Sequence, residues 1–224
     1  MNIPTSQFWN AREADIFDQR TKDSGRIVAI QRMVDLSDPY INRKNSVTID
    51  LGCGTGLFAE LSNNRNIVGV DFSSTLLQLA SKRMVNTYQE SVFDFQRQDN
   101  SIDNIISLFV IDDYPDNQKA IFFNKVFSML KSNGYFFFGS YSPNDERMGK
   151  LKTSVNNTIG NRFTIYLESI EYYQNRLSAT GFEIEKSETI KTAGYYSQDN
   201  TTIELKREFD FIIAKKRVKE KISP

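Results

Sequence analysis

Apolar and polar positions along the chain alternate between strand-like runs and helix-like stripes. Val47-Thr48-Ile49-Asp50-Leu51 is an apolar run rich in β-branched residues and reads as a buried parallel strand. It passes into Gly52, Gly54 and Gly56, glycines at alternate positions, and then into Leu57-Phe58-Ala59-Glu60-Leu61, the first turns of a helix. Strand, glycine turn and helix is the geometry that lets a ligand approach bare backbone. The polar turn Asn63-Asn64-Arg65-Asn66 precedes a second strand, Ile67-Val68-Gly69-Val70-Asp71, which also ends in an acid. Ser73 is placed to cap a helix with the apolar stripe Leu76, Leu77, Ala80 and Met84. The run from Asp103 to Phe109 reads as another buried strand. The helix after it has Ile121, Phe122, Val126, Phe127, Met129 and Leu130 as its core stripe. Gly134 ends the following turn, and Tyr135 to Tyr141 is the next strand.

The flanks follow the same periods. Phe8, Trp9, Ala14 and Phe17 fall in one amphipathic stretch, and Phe8 and Trp9 read either as core packing or as a lid over a ligand cleft. After the polar break Thr21-Lys22-Asp23-Ser24-Gly25, a second helix is signalled by Ile27, Ile30, Met33 and Val34, with Pro39 and Asn42 to Asn45 closing that layer. Ser142 to Tyr166 is polar. Ile170, Tyr173 and Leu177 make a helix stopped at Gly181. Phe182 to Glu185, Thr202 to Leu205 and Glu208 to Ile213 alternate as strands, with Thr192 to Asn200 as a long loop between them. Lys215 to Lys221 reads as a solvated tail.

Composition narrows the chemistry. A chain of 224 residues with no repeat, linker or low-complexity tract is expected to form one domain. Lys plus Arg equals Asp plus Glu at 28 each, so no global field recruits nucleic acid or membrane. Cys53 is the one cysteine, which excludes an intrachain disulfide and points to a reducing, cytoplasmic setting. The first residues show no signal-peptide pattern, and no apolar run approaches the roughly 20 residues of a membrane span. The chain has no histidine, which removes Ser-His-Asp and Cys-His catalysis and His-based zinc sites.

Asp71 lies 19 positions after Gly52. In strand-loop-helix nucleotide folds an acid about 20 residues on binds a ribose hydroxyl pair, because a carboxylate can accept from both hydroxyls. Asp50-Leu51-Gly52-Cys53-Gly54-Thr55-Gly56 resembles the first motif of class I S-adenosylmethionine-dependent methyltransferases of the broad small-molecule group, and Val68-Gly69-Val70-Asp71-Phe72-Ser73 resembles the second. Asp99-Asn100-Ser101-Ile102-Asp103 is similar to the family's D-N-S-F-D segment, and Leu130-Lys131-Ser132-Asn133-Gly134 to its L-K-P-G-G turn. The loop spacing is G-x-G-x-G rather than the G-x-G-x-x-G of dinucleotide enzymes. Its leading acid would repel a diphosphate and suits the α-ammonium end of S-adenosylmethionine.

The resemblance implies an α/β, Rossmann-like, doubly wound seven-stranded sheet with helices on both faces and a C-terminal antiparallel strand pair. It divides the chain into an N-terminal helical lid (1–45), a cofactor-binding core (46–141), a substrate-covering insertion (142–168), and a closing helix and strand pair (169–224). It implies S-adenosyl-L-methionine as methyl donor and S-adenosyl-L-homocysteine as product. Asp50, Gly52, Cys53, Gly54 and Gly56 would border the methionyl part, Asp71 would hold the ribose, and Phe72 and Leu76 would line the adenine. Ser91 and Val92 fall where relatives read the adenine edge, with Glu90 or Asp94 as alternatives for the acid; Leu108 and Phe109 would border the donor.

Asp112-Asp113 stands where many relatives carry a His-His pair. These acids could accept a proton, attract a cationic or polar acceptor, or cap the helix beginning near Asp116. Asp112, Asp113, Tyr114 and Tyr141 are the candidate catalytic residues, and no metal is assigned. A metal-assisted variant would use Asp112 or Asp113 with Asn144 and Asp145. The expected reaction is methyl transfer to an oxygen or nitrogen of a small-molecule acceptor. Alternatives are a methyltransferase acting on a protein or RNA, and a non-catalytic S-adenosylmethionine-binding protein. Oligomeric state is left open.

Overall fold

The computed structural model describes residues 11–151, 155–156, 162–163, 165–198 and 201–217. Two helices, α1 (Ala11–Asp23) and α2 (Arg26–Ile41), lead into strand β1 (Thr48–Leu51). Helix α3 (Leu57–Leu61), β2 (Val68–Asp71), α4 (Ser74–Arg83) and β3 (Thr87–Gln89) follow. Then come β4 (Ile102–Leu108), a single 3₁₀ turn (Ile111–Asp113), α5 (Asp116–Met129) and β5 (Leu130–Tyr141). Next are α6 (Glu146–Leu151) and the short pair β6 (Val155–Asn156) and β7 (Arg162–Phe163); α7 (Ile170–Thr180), β8 (Phe182–Gln198) and β9 (Thr201–Lys216) complete the described chain.

The main sheet has seven strands in the order β3-β2-β1-β4-β5-β9-β8. The first five are parallel, and β9 runs antiparallel to both β5 and β8. Strand order reverses between β1 and β4, which opens a crevice beyond their carboxyl ends. Successive residues face opposite layers: Ile105, Phe136 and Phe138 pack with α5 and α7, whereas Ile106 and Phe137 pack with α2, α3 and α4. This double burial explains why the central strands read as continuous apolar runs.

Several sequence expectations are corrected. Pro39 does not close α2; it sits in its last turn, and the helix runs on to Ile41. Ile121 is 58% exposed, and the buried side of α5 carries Phe123 and Lys119 instead. β5 begins at Leu130, with an irregular register before the regular pairing of Asn104 with Tyr135. The largest difference is in the closing strands. Residues Thr192 to Gln198, expected in a loop, continue β8 as a two-stranded ribbon with β9, paired as far as Gln198 with Thr201. The stretch is held by tertiary partners: Arg207 is fully buried, and its guanidinium reaches Asp145 Oδ2 at 2.7 Å and the Ser24 carbonyl at 2.6 Å. Lys215 and Lys216 belong to β9 rather than to a tail. The Lys216 ammonium donates to the carbonyls of Phe127 (2.6 Å) and Leu130 (2.7 Å). Phe8, Trp9 and residues 218–221 lie outside the described residues.

Candidate active site

The glycine turn is stapled onto β2. Gly52 N and Cys53 N both donate to the Val70 carbonyl, at 2.7 and 3.0 Å. Gly52 has φ +80, and a Cβ there would lie 2.2 Å from Val110 Cγ2, so both conformation and space require glycine. Asp71 Oδ2 accepts from Gly54 N at 3.0 Å, and Oδ1 accepts from Ser73 N at 2.9 Å. Burial pushes the Asp71 carboxyl up to about 6, against the downward pull of those backbone donors. Asp50 at the end of β1 is pushed up to about 7, chiefly by burial and further by the Asp71 charge. Burial, with both acids nearby, also keeps the Cys53 thiol neutral by raising its pKa well above the usual value.

These groups open into a cleft of about 910 Å³, mouth included, over the carboxyl ends of the strands. Asp50, Gly52, Cys53, Gly54, Asp71, Phe72 and Leu76 line it. Val92, Leu108, Phe109, Val110, Asp113 and Tyr114 line it as well, with Val110 directly against Gly52. Phe17 of α1, Arg26 and Ile30 of α2, and Leu57 and Phe58 of α3 complete the wall.

Four expected site residues are elsewhere. Gly56, with φ +77, starts α3 and packs on α4; a Cβ there would lie 3.2 Å from Ala80 Cα. Ser91 Oγ accepts from Phe93 N at 3.2 Å, closing its own turn, and only its neighbour Val92 reaches the cleft. Tyr141 is buried beneath the cleft, its hydroxyl accepting from Arg26 Nη1 at 2.9 Å. Asp112 points into the protein, accepting from Tyr141 N and from the Tyr173 hydroxyl, both at 3.2 Å.

The 3₁₀ turn therefore separates two adjacent acids. Burial raises Asp112 to about 6, and the nearby Lys119 ammonium opposes that rise. Lys119 is itself fully buried and donates to the Tyr166 carbonyl at 2.7 Å, while Tyr166 N donates to the Asp112 carbonyl at 2.7 Å. Tyr166 is thus tied to the turn and to α5. Asp113 faces the cleft, and burial together with the Asp112 charge raises it well above the usual carboxylate range. Neither acid caps α5, which begins after Pro115 without a side-chain cap. Tyr114 stacks edge-on against Phe93 with centroids 4.7 Å apart, and burial pushes its hydroxyl pKa upward. Asp145, considered as a metal ligand, is paired with Arg207 at 2.7 Å. Among the described residues no three His, Cys, Asp or Glu side chains converge in a metal-binding group.

Sequence reasoning missed Phe17, Arg26, Ile30, Leu57 and Phe58. Arg26 had the weakest signal, being one basic residue at the start of a helix. Its guanidinium lies over the Phe17 ring (5.0 Å) and near the Phe109 ring (5.8 Å), and its buried Nε has no hydrogen-bond partner among the described residues.

Sheet order, the C-terminal antiparallel pair, and a glycine turn facing an acid on β2 define a class I methyltransferase fold. A family described as "Methyltransferase domain" matches residues 42–166, more than half of the chain, and the protein belongs to that family of S-adenosylmethionine-dependent enzymes. No curated protein matches the chain in sequence. Among solved structures, magnesium protoporphyrin IX methyltransferase from Synechocystis PCC 6803, with bound S-adenosylhomocysteine, is similar at TM-score 0.69 and 16% identity; the match covers 94% of this chain and 97% of that one. A Thermotoga maritima methyltransferase described as a possible histamine N-methyltransferase has TM-score 0.62 and 18% identity, covering 95% and 100%. A Methanosarcina mazei S-adenosylmethionine-dependent methyltransferase has TM-score 0.62 and 18% identity, covering 82% and 98%. No described helix is long and apolar enough to cross a membrane.

Proposed function

We propose that the protein transfers the methyl group of S-adenosylmethionine to an oxygen or nitrogen of a small-molecule acceptor in the cytoplasm. The observation that carries this reading is one cleft joining the glycine turn and Asp71 to an apolar wall with Asp113 and Tyr114. The cofactor fits the side chains present. Asp71 offers carboxylate oxygens to the ribose hydroxyls, and Asp50, buried at the turn, suits the α-ammonium group. Arg26, with its free Nε, suits the α-carboxylate. Phe72, Leu76 and Val92 supply apolar surface for the adenine.

When bound, the donor supplies an already activated methyl on a sulfonium. The chain's own work is to orient it, exclude water with Phe17, Ile30 and Phe58, and place the acceptor in line. A proton needs a home only if the acceptor arrives protonated, and Asp113 is the cleft-lining acid on that side. The balanced net charge favours a free small molecule over a protein or RNA. Calorimetric titration with S-adenosylhomocysteine tests the donor half. Saturable binding to the wild type that is lost in Asp71→Ala supports it; no binding overturns it.

A further inference from the structure

We infer that the acceptor is an amine that enters the cleft as an ammonium ion and is held and deprotonated by Asp113. This rests on the donor reading above and adds the substrate class. The argument is one of charge matching in a buried space. Among the described residues, the charged side chains lining the cleft are Asp50, Asp71, Asp113 and Arg26. The donor brings an ammonium, a carboxylate and a sulfonium. Its ammonium answers Asp50 and its carboxylate answers Arg26. The ribose hydroxyls bond to Asp71 without neutralising it. Asp113 is then the cleft-lining acid that none of the donor's own groups addresses, and a cationic acceptor gives it a partner.

Asp113 is the acid on which that cation would fall. The groups around it are Asp112 on the same turn, Tyr114 beside it, Asp71 across the cleft, and Lys119 on α5 behind Asp112. The Lys119 ammonium donates to the Tyr166 carbonyl, pairs with Glu168 at 3.6 Å and acts on Asp112 electrostatically. Tyr114 is neutral. Burial and the Asp112 charge both act against the ionised form of Asp113, and no hydrogen bond or cation from the described residues opposes them. An incoming ammonium supplies that missing counter-charge. The lining residues Val92, Leu108, Phe109, Val110 and Tyr114 are apolar or aromatic, so the acceptor carries an apolar body behind its amine.

The step balances. The bound ammonium gives one proton to the Asp113 carboxylate. The freed nitrogen lone pair forms the N–C bond as the C–S bond breaks, and that bond's electron pair stays on sulfur. The products are a methylated ammonium and the neutral thioether, and the Asp113 proton passes to solvent.

The experiment is radiolabelled methyl transfer from S-adenosylmethionine to alkyl and arylalkyl amines, phenethylamine being the simplest, beside the matching phenols and benzoates. S-adenosylhomocysteine titration is run in parallel on the wild type and on Asp113→Asn. The expected result is transfer to amines, with an acidic limb in the pH profile. Asp113→Asn loses about 10²-fold or more in kcat/KM and loses that limb, while its S-adenosylhomocysteine affinity stays within about threefold. Intact cofactor binding with no amine methylated, or with only phenols or benzoates methylated, overturns the amine assignment alone. An active Asp113→Asn with an unchanged profile overturns the role of Asp113. Failure of the wild type to bind S-adenosylhomocysteine overturns the donor reading, and this inference with it.

Discussion

Asp71 Oδ2 accepts a hydrogen bond from Gly54 N at 3.0 Å, so the end of the second strand holds the glycine turn that follows the first. One carboxylate thus shapes the loop and presents its remaining lone pairs to the cleft. Hydrogen bonds to charged groups contribute about 1.5–3 kcal/mol each. Asp71→Ala removes both the loop contact and the ribose acceptor. The expected loss of S-adenosylhomocysteine affinity is about 100-fold or more, read by calorimetry, and a loss below about threefold would count against the ribose role.

Gly52 and Gly56 differ although both have left-handed backbone. A side chain at Gly52 strikes Val110 in the cleft wall, whereas one at Gly56 meets Ala80 and Met84 behind it. Adopting that conformation costs roughly 1–2 kcal/mol for a non-glycine residue. Both alanine variants are expected to melt at lower temperature. Gly52→Ala also loses cofactor affinity, while Gly56→Ala retains it within about threefold. Calorimetry on folded protein separates the two.

The buried acids make stability depend on pH in an unusual direction. Asp50 and Asp71 are raised to about 7 and about 6, so the folded state holds protons that the unfolded chain releases near pH 4. Stability then falls as pH rises from about 4 through about 7, because the folded state binds more protons than the unfolded one in that window. The cofactor-free protein is expected to melt several degrees lower at pH 8 than at pH 5.5. Each kcal/mol lost corresponds to roughly 2–4 °C in a chain of this size. A melting temperature that rises over this interval would contradict the burial of these groups.

Asp112 and Lys119 are both buried and their charges interact, although the direct ion pair of Lys119 is with Glu168 at 3.6 Å, so they are expected to behave as a coupled pair. Removing one partner of such a pair costs about 3–5 kcal/mol, whereas replacing both with matched uncharged groups costs far less. Asp112→Asn and Lys119→Met should each destabilise strongly, and the double variant less than their sum. A double-mutant cycle by denaturant melts measures the coupling, and additive losses would show that the two act independently.

Much of the fold was legible in the sequence because period and punctuation encode it locally. The run Thr48 to Leu51, the alternate glycines and the acid at Asp71 are short-range signals, and their spacing places the turn, the second strand and the cleft mouth. Gly181 likewise ends α7 with φ +113, a local conformation that glycine adopts without strain. The errors fall where local preference meets a distant partner. Thr192 to Gln198 reads as a loop until Ser24, Asp145 and Arg207 are brought together around it.

The amino-acid sequence by itself determined the order of strands and helices, the glycine turn and the acid opposite it, since each depends on residues within a few positions of one another. Only the tertiary structure decided which of two adjacent acids faces the ligand. Asp112 turns inward, where the Tyr173 hydroxyl of α7 donates to it and the charge of Lys119 on α5 favours its ionised form, and Asp113 is left in the cleft. Only the tertiary structure brought Arg26 beside the glycine turn. The physical reason is that hydrophobic period records which way a side chain points relative to its own element, whereas charge pairing and burial depend on elements far apart in the chain.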